Sequence, residues 1–513
     1  MLSLIVFAPL IAAIFVAVLP SEPVAVARRA AFVFSLVPLL LSLLLLTGFD
    51  PTEGGLQFVE RASWIPSLGV TYSNGVDGFS LWLIVLTTFL TPLVLLAAWG
   101  DVHRNVKAYM CLMLALEGCM LGCLVAFDLI LFFVWWELML FPMFFLIGIW
   151  GGPNRRYATI KFVLFTMAGS ALMFVAILYL ALANARGGEL TFDLLRLYDT
   201  PLSATEQSWL FAAFALAFLI KIPAIPLHTW LPDAHTEAPT GGSVILAGVL
   251  LKLGAYGFLR LAIPLFPQAA HDAMNLMIVL AVGGIIYGAM VALLQPDMKR
   301  LVAYSSVSHL GFVLLGLFAF NNAGISGSVL QMVSHGLSTG ALFLLVGFIY
   351  ERRHTRMISE YGGLWSVVPV FAAIFLIVTL SSIGLPGTNG FVGEFLILLG
   401  AFRARPWAGA LATLGVVLGA VYMLRLYKRV FFGEVTVADN RKLVDLSPRE
   451  IAVMVPLLVM IFWIGLYPKP FLARIEPTAQ VYLERIEGKL AGSVVASSPL
   501  KNRTRAANGL SAP

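Results

Sequence analysis

The feature that most restricts how this chain can fold is a succession of apolar runs, each long enough to cross a bilayer. They lie near 2-19, 30-48, 79-98, 108-127, 129-149, 160-183, 208-228, 243-263, 276-294, 302-320, 326-349, 367-402, 409-430 and 451-467. A hydrocarbon core of about 30 Å takes about 20 apolar residues per helix, so the expected fold is an all-α polytopic membrane protein with about fourteen spans. Composition agrees, with 60% hydrophobic and 12% charged residues and a mean hydropathy of +0.92. That excludes a soluble domain. The run near 367-402 is anomalous, because about 36 residues would make a helix of about 54 Å. A break is expected at Gly384-Leu385-Pro386-Gly387. No basic residue precedes the first run, which therefore reads as a span and not a cleaved leader, although Ala25-Val26-Ala27 resembles a cleavage triplet.

A net charge of +6 and a pI near 9.2 could indicate nucleic acid, but the basic residues fall in loops between apolar runs and read as topology signals. One alternating set of loops holds Arg28, Arg29, Arg104, Lys107, Arg155, Arg156, Lys299, Arg300, Arg352, Arg353 and Arg356 among others. The other set is poor in such residues and contains the acidic loop with Asp50, Glu53, Glu60 and Asp77. By the positive-inside rule the first set is cytoplasmic, which places both termini outside a bacterial cytoplasmic membrane.

Two helix-breaking segments suggest an internal repeat of the kind found in transporters. Residues 1-107 hold the first spans; 108-263 form a five-helix unit broken at Pro223/Pro226; 276-430 form a second unit broken at Pro386; and 431-513 hold a loop, the last span and a polar tail. Because each unit has an odd number of helices, the second must be inverted relative to the first. The tail from Pro468, ending in Lys501, Asn502 and Arg503, is expected to carry little structure.

The most informative stretch is LIKIPAIPLHTWLPDAHTEAPT, Leu219 to Thr240. Lys221 lies about 18 Å along the apolar run that starts near Trp209, which is mid-bilayer depth. Pro223 and Pro226 follow, each without an amide hydrogen and each in conflict with the carbonyl four residues back, so the helix should break beside the charge. A lysine at that depth costs about 3 kcal/mol unless a wet, protein-enclosed path surrounds it. It either snorkels to the headgroups or serves as an ionisable relay, and its depth favours the relay.

Other ionisable residues lie inside apolar runs: Glu117, Glu137, Lys252, His309, His335 and Glu394. Glu137 and Lys252 are both near the midplane, and an acid paired with a lysine is cheaper than either alone. Glu137 with Lys221 is the expected pair. Movement of that carboxylate would then make Lys221 bind or release a proton. His309 and His335 sit on neighbouring spans between Lys252 and Glu394 in span order, where titratable imidazoles suit a proton relay. Glu394, beyond the Pro386 break, is placed to exchange protons with the outside. Glu117 is a secondary candidate for an access path or a subunit contact.

No dinucleotide fingerprint or P-loop occurs. Cys111, Cys119 and Cys123 share one apolar run and are too few for a cluster. His228, Asp233, His235 and Glu237 match no zinc spacing and read as the mouth and turn after the broken helix. The chain is therefore expected to hold no metal and no redox centre.

The runs His228-Thr229-Trp230-Leu231-Pro232-Asp233-Ala234-His235, Asp297-Met298-Lys299-Arg300 through Tyr304-Ser305-Ser306 to His309, and Gly384-Leu385-Pro386-Gly387 through Gly393-Glu394-Phe395 resemble the antiporter-like subunits of respiratory complex I. The resemblance covers nearly the whole chain. Glu394, where relatives usually carry lysine, and the short segment after the last span make it most similar to the subunit M, or chain 4, type. The resemblance implies that Glu137 and Lys221 are a modulating pair, that Lys252, His309 and His335 form a central axis, and that Glu394 is the terminal donor or acceptor. His228, on an inner access route, Arg260 and Tyr422 match positions of lesser weight. It also implies that flavin, iron-sulfur clusters, NADH and quinone belong to other subunits, and that the partners are the other membrane-arm and core subunits. A subunit of a multi-subunit sodium/proton antiporter is the competing reading. A self-sufficient sugar or drug transporter fits poorly, because the charges run laterally and do not ring one pocket.

Overall fold

A computed structural model describes residues 1–20 and 22–497. Helices α1 (Leu2–Val18) and α2 (Val24–Gly48) are followed by an antiparallel hairpin, β1 (Gln57–Ile65) and β2 (Val70–Val76), and by α3 (Gly78–Asp101). The fold is thus mostly helical but not purely so. β-branched and aromatic residues such as Phe58, Val59, Ile65, Val70 and Tyr72 favour strands, and Gly69, at φ +67°, supplies the left-handed turn between them.

The chain continues through α4 (Val106–Val125), α5 (Leu129–Leu138), α6 (Leu140–Trp150), α7 (Arg155–Ala185), α8 (Ala204–Lys221), α9 (Trp230–Glu237) and α10 (Thr240–Leu265). Then come α11 (Met274–Leu293), α12 (Met298–Leu317), α13 (Asn322–Arg353), α14 (Pro369–Ser382), α15 (Asn389–Ala404), α16 (Pro406–Phe431), α17 (Pro448–Leu466) and α18 (Lys469–Ser497). Among the described residues eleven helices, counting α5 with α6 as one, are long and apolar enough to cross a membrane, and α1 and α14 are shorter apolar helices. The apolar windows of α10 and α13 are wholly enclosed, whereas only 28% of that of α2 is covered. Thus α10 and α13 form the centre and α2 the rim.

Prolines set the interruptions. Pro142 displaces the carbonyl of Leu138, so α5 and α6 meet in a kink beside Glu137. Helix α8 stops at Lys221, ahead of Pro223 and Pro226, and the buried Trp230 indole donates to the Ile220 carbonyl of the last turn at 2.8 Å. A second gap separates α14 from α15, where Gly384 and Gly387 adopt φ +74° and +91°. Helix α10 contains π-helical turns at Leu246–Leu250 and Phe258–Ala262, a distortion common at functional sites.

Between those turns α10 packs flush on α8. A β-carbon on Gly254 would lie 2.9 Å from Ile222 N, Lys221 Cβ and Phe218 O. Gly254→Ala is therefore expected to cost about 1–3 kcal/mol and to lower the thermal midpoint and yield of the assembled protein. An unchanged midpoint would show that the two helices have room to separate.

The tail departs from expectation. Residues 469–497 are helical, because Phe471, Ile475, Ala479, Leu483 and Ile486 recur at helical spacing and are all buried. The expectation for Lys501, Asn502 and Arg503 lies outside the described residues.

Candidate functional site

Four of the residues singled out in the sequence meet in the enclosed centre. Lys252, on α10 just past the first π-turn, donates to the Ala247 carbonyl, five residues back, and to His335 Nδ1 at 2.8 Å. His335 on α13 faces His309 on α12, with ring centroids 5.5 Å apart. His309 Nδ1 lies 2.8 Å from Glu394 Oε1 on α15. Gln331 Nε2 donates to the same oxygen at 3.0 Å. All four are buried, Lys252 at 1% exposure and Glu394 at 5%.

Partner chemistry fixes the polarity of this line. As an ammonium the lysine can only donate, and His335 Nδ1 then accepts with the ring proton on Nε2. Glu394 as a carboxylate can only accept, so His309 Nδ1 donates to it, and in the neutral imidazole Nε2 is then the acceptor. Among the described residues the two Nε2 atoms have no hydrogen-bond partner, and both rings line one small cavity with Ser334, Ser338, Ser381 and Glu394. With these tautomers the Lys252–His335 and His309–Glu394 contacts run donor to acceptor in the same direction, and the two imidazoles between them are in ring contact at 5.5 Å without a hydrogen bond. Hydroxyls continue the polar surface: Ser338 and Ser381 are 2.6 Å apart, and Ser381 donates to Asn389 Oδ1 at 2.5 Å. Tyr422 on α16 is buried beside Ser305 and Glu394.

Lys221 and Glu137 do not form the direct ion pair expected. Among the described residues neither Lys221 Nζ nor Glu137 Oε1 has a hydrogen-bond partner; the ammonium instead lies 4.8 Å from the Trp136 ring centroid. The indole face attracts the cation, and the kink at Pro142 leaves Glu137 half-buried. Glu137 stays within electrostatic reach of Lys221, so the two remain one cluster without a bond.

His228 lies in the gap after α8, its ring 5.1 Å from that of Tyr287. Asp233, beside it, is bound by Lys161 at 2.7 Å. Glu117 is fully buried next to Thr91 and contacts none of the line. Sequence reasoning set His235 aside, yet its ring is fully buried, stacked on Phe343 at 4.7 Å, with neither nitrogen partnered among the described residues. It sits between Lys252 and Lys299, and Lys299 lines a cavity of about 390 Å³ on the basic-loop face together with Asp101, Arg104 and Glu237. The signal in the sequence was its place in an otherwise accounted-for motif, but spacing alone gave no partner.

Fold and site define a polytopic membrane protein with a polar, ionisable line buried across its centre. The family described as "NADH:quinone oxidoreductase/Mrp antiporter, TM" matches residues 126–419. NADH-quinone oxidoreductase subunit M of Rhodobacter capsulatus is 47% identical, the match covering 91% of this chain and 93% of that one. A chain of respiratory complex I from Thermus thermophilus superimposes with a TM-score of 0.87 at 35% identity, over 95% of this chain and all of that one. A chain of the Mrp complex from Dietzia shares the fold, with a TM-score of 0.80 at 21% identity over 94% of this chain and 99% of that one. This chain belongs to the NADH:quinone oxidoreductase/Mrp antiporter family, among the subunits M of NADH-quinone oxidoreductase.

Proposed function

We propose that this chain moves protons as a membrane-arm subunit of an NADH:quinone oxidoreductase, driven by quinone reduction in other subunits. The observation that carries this is the line Lys252, His335, His309, Glu394, with two direct contacts of 2.8 Å and a polar cavity between the imidazoles. Lys221 and Glu137 modulate it electrostatically: a change in the charge near Trp136 alters the proton affinity of Lys221. His235 and His228 supply access from the basic-loop side, and Tyr422 steadies Glu394. The lateral direction of the line suits coupling passed from subunit to subunit.

The architecture behind this reading is about fourteen spans, arranged as two inverted five-helix units over 108-263 and 276-430, with the first broken helix carrying the modulating Lys221 and the second the terminal Glu394. The basic loops face the cytoplasm and both termini face outward, in a bacterial cytoplasmic membrane. Flavin, iron-sulfur clusters, NADH and quinone are held by partner subunits. A sodium/proton antiporter subunit is the second reading, and co-purification with flavin and iron-sulfur subunits decides between them.

The test is the double variant His309→Gln/His335→Gln in the intact complex reconstituted into liposomes. Glutamine keeps a polar side chain but cannot pass a proton by exchanging ring nitrogens. NADH-driven acidification, per assembled complex, is expected to fall at least about tenfold. Full pumping by the double variant would sink the proposal.

A further inference from the structure

A second buried charge cluster lies on the face opposite the basic loops and is used by none of the steps above. On α10, Lys252, Tyr256 and Arg260 recur every four residues, so they lie along one side of the helix over about 12 Å. Arg260, inside the second π-turn, donates from Nη2 to both carboxylate oxygens of Asp77 at 2.6 Å. Its Nε donates to Tyr256 Oη at 3.2 Å, and its guanidinium lies 4.6 Å from the Phe127 ring centroid. Asp77 also accepts from Phe79 N and Ser80 N, which anchors it at the start of α3.

Above this pair is a cavity of about 240 Å³ lined by Leu56, Tyr198, Thr478, Tyr482 and Arg485. Helix α18 roofs it: Thr478 Oγ1 accepts from Gly78 N at 3.1 Å, and Lys489 pairs with Asp199 at 3.3 Å. Tyr198 Oη donates to the Arg260 carbonyl at 2.8 Å. Burial pushes the Tyr198 phenol up to about 12 against the pull of Arg260 and Arg485, so it stays a neutral hydroxyl.

A buried ion pair adds little net stability over an apolar pair of like volume, so its physical effect has to be sought elsewhere. An arginine fixed across a narrow passage repels protons and cations. We propose that Asp77 and Arg260 form a gate between the outer cavity and Lys252, which stops protons from running back along Tyr256 into the central line. Arg260 cannot give up its proton, so the gate acts by position and charge; Asp77 holds it in place. The inference rests on the reading of Lys252 as a relay.

The test uses the whole complex in liposomes, without NADH, under an imposed pH gradient that is acidic on the outer side. Arg260→Gln is expected to raise proton leak several-fold over the wild type, measured with a trapped dye and normalised to assembled complex. Adding Lys252→Met to Arg260→Gln is expected to return the leak to the wild-type rate. Where Arg260→Gln fails to assemble, Asp77→Asn, which keeps an oxygen to cap α3 but loses the charge, is read in the same two ways. A wild-type leak rate in the assembled single variant, or a leak that persists when Lys252 is also replaced, overturns the gate. Full NADH-driven pumping by Lys252→Met alone overturns the relay reading instead, so the two failures are distinguishable.

Discussion

Replacing Lys252 by methionine is expected to lower NADH-driven proton translocation at least about tenfold in the assembled complex. Lys252 is the donor end of the line, bonded to His335 Nδ1 and the Ala247 carbonyl in a site with 1% exposure. Methionine fills a similar volume and adapts to irregular cores, so packing is largely kept. The two acceptors left unpaired cost about 1–3 kcal/mol each, which weakens the fold without abolishing it. Lys252→Arg keeps the charge but replaces a flexible point donor with a rigid fork, and intermediate activity is expected. Proteoliposome acidification, scaled to the amount of assembled complex, checks both. If methionine pumped normally, the proton would have to cross the centre without a titratable group on α10.

Glu394→Gln is expected to have an effect of the same size. The amide has nearly the shape of the carboxyl, so the gap between α14 and α15 and its contacts through Gly384 remain filled. Its carbonyl oxygen still accepts from Gln331 and His309, but the group can neither bind nor release a proton. Glu394→Asp keeps the chemistry and withdraws the oxygen from the 2.8 Å contact with His309 by about one methylene, so partial activity is expected. Equal pumping by Glu394→Gln and the wild type would place the terminal acceptor elsewhere.

Much of this was legible in the sequence because the bilayer constrains so strongly. Apolar length located the helices, and the positions of Pro223, Pro226 and Pro386 located the interruptions, since a missing amide hydrogen acts locally. Lys252, His309, His335 and Glu394 stood out because an ionisable group is costly inside an apolar run. What the sequence could not supply was side-chain direction. Lys221 turns to Trp136 and not to Glu137 because the chain ends its helix there and an aromatic face competes with a carboxylate. Asp77 and Arg260 are 183 residues apart, so no local pattern joins them. The hairpin and α18 were missed for another reason: both lie in polar stretches, where hydropathy is silent and only strand propensity or a four-residue apolar recurrence remains.

The most direct measurement of the central claim is the infrared difference spectrum of the assembled complex during NADH-driven turnover. The account predicts a carboxylic C=O band from Glu394 that is absent in Glu394→Gln and also lost in His309→Gln. A turnover spectrum identical in wild type and Glu394→Gln would contradict it.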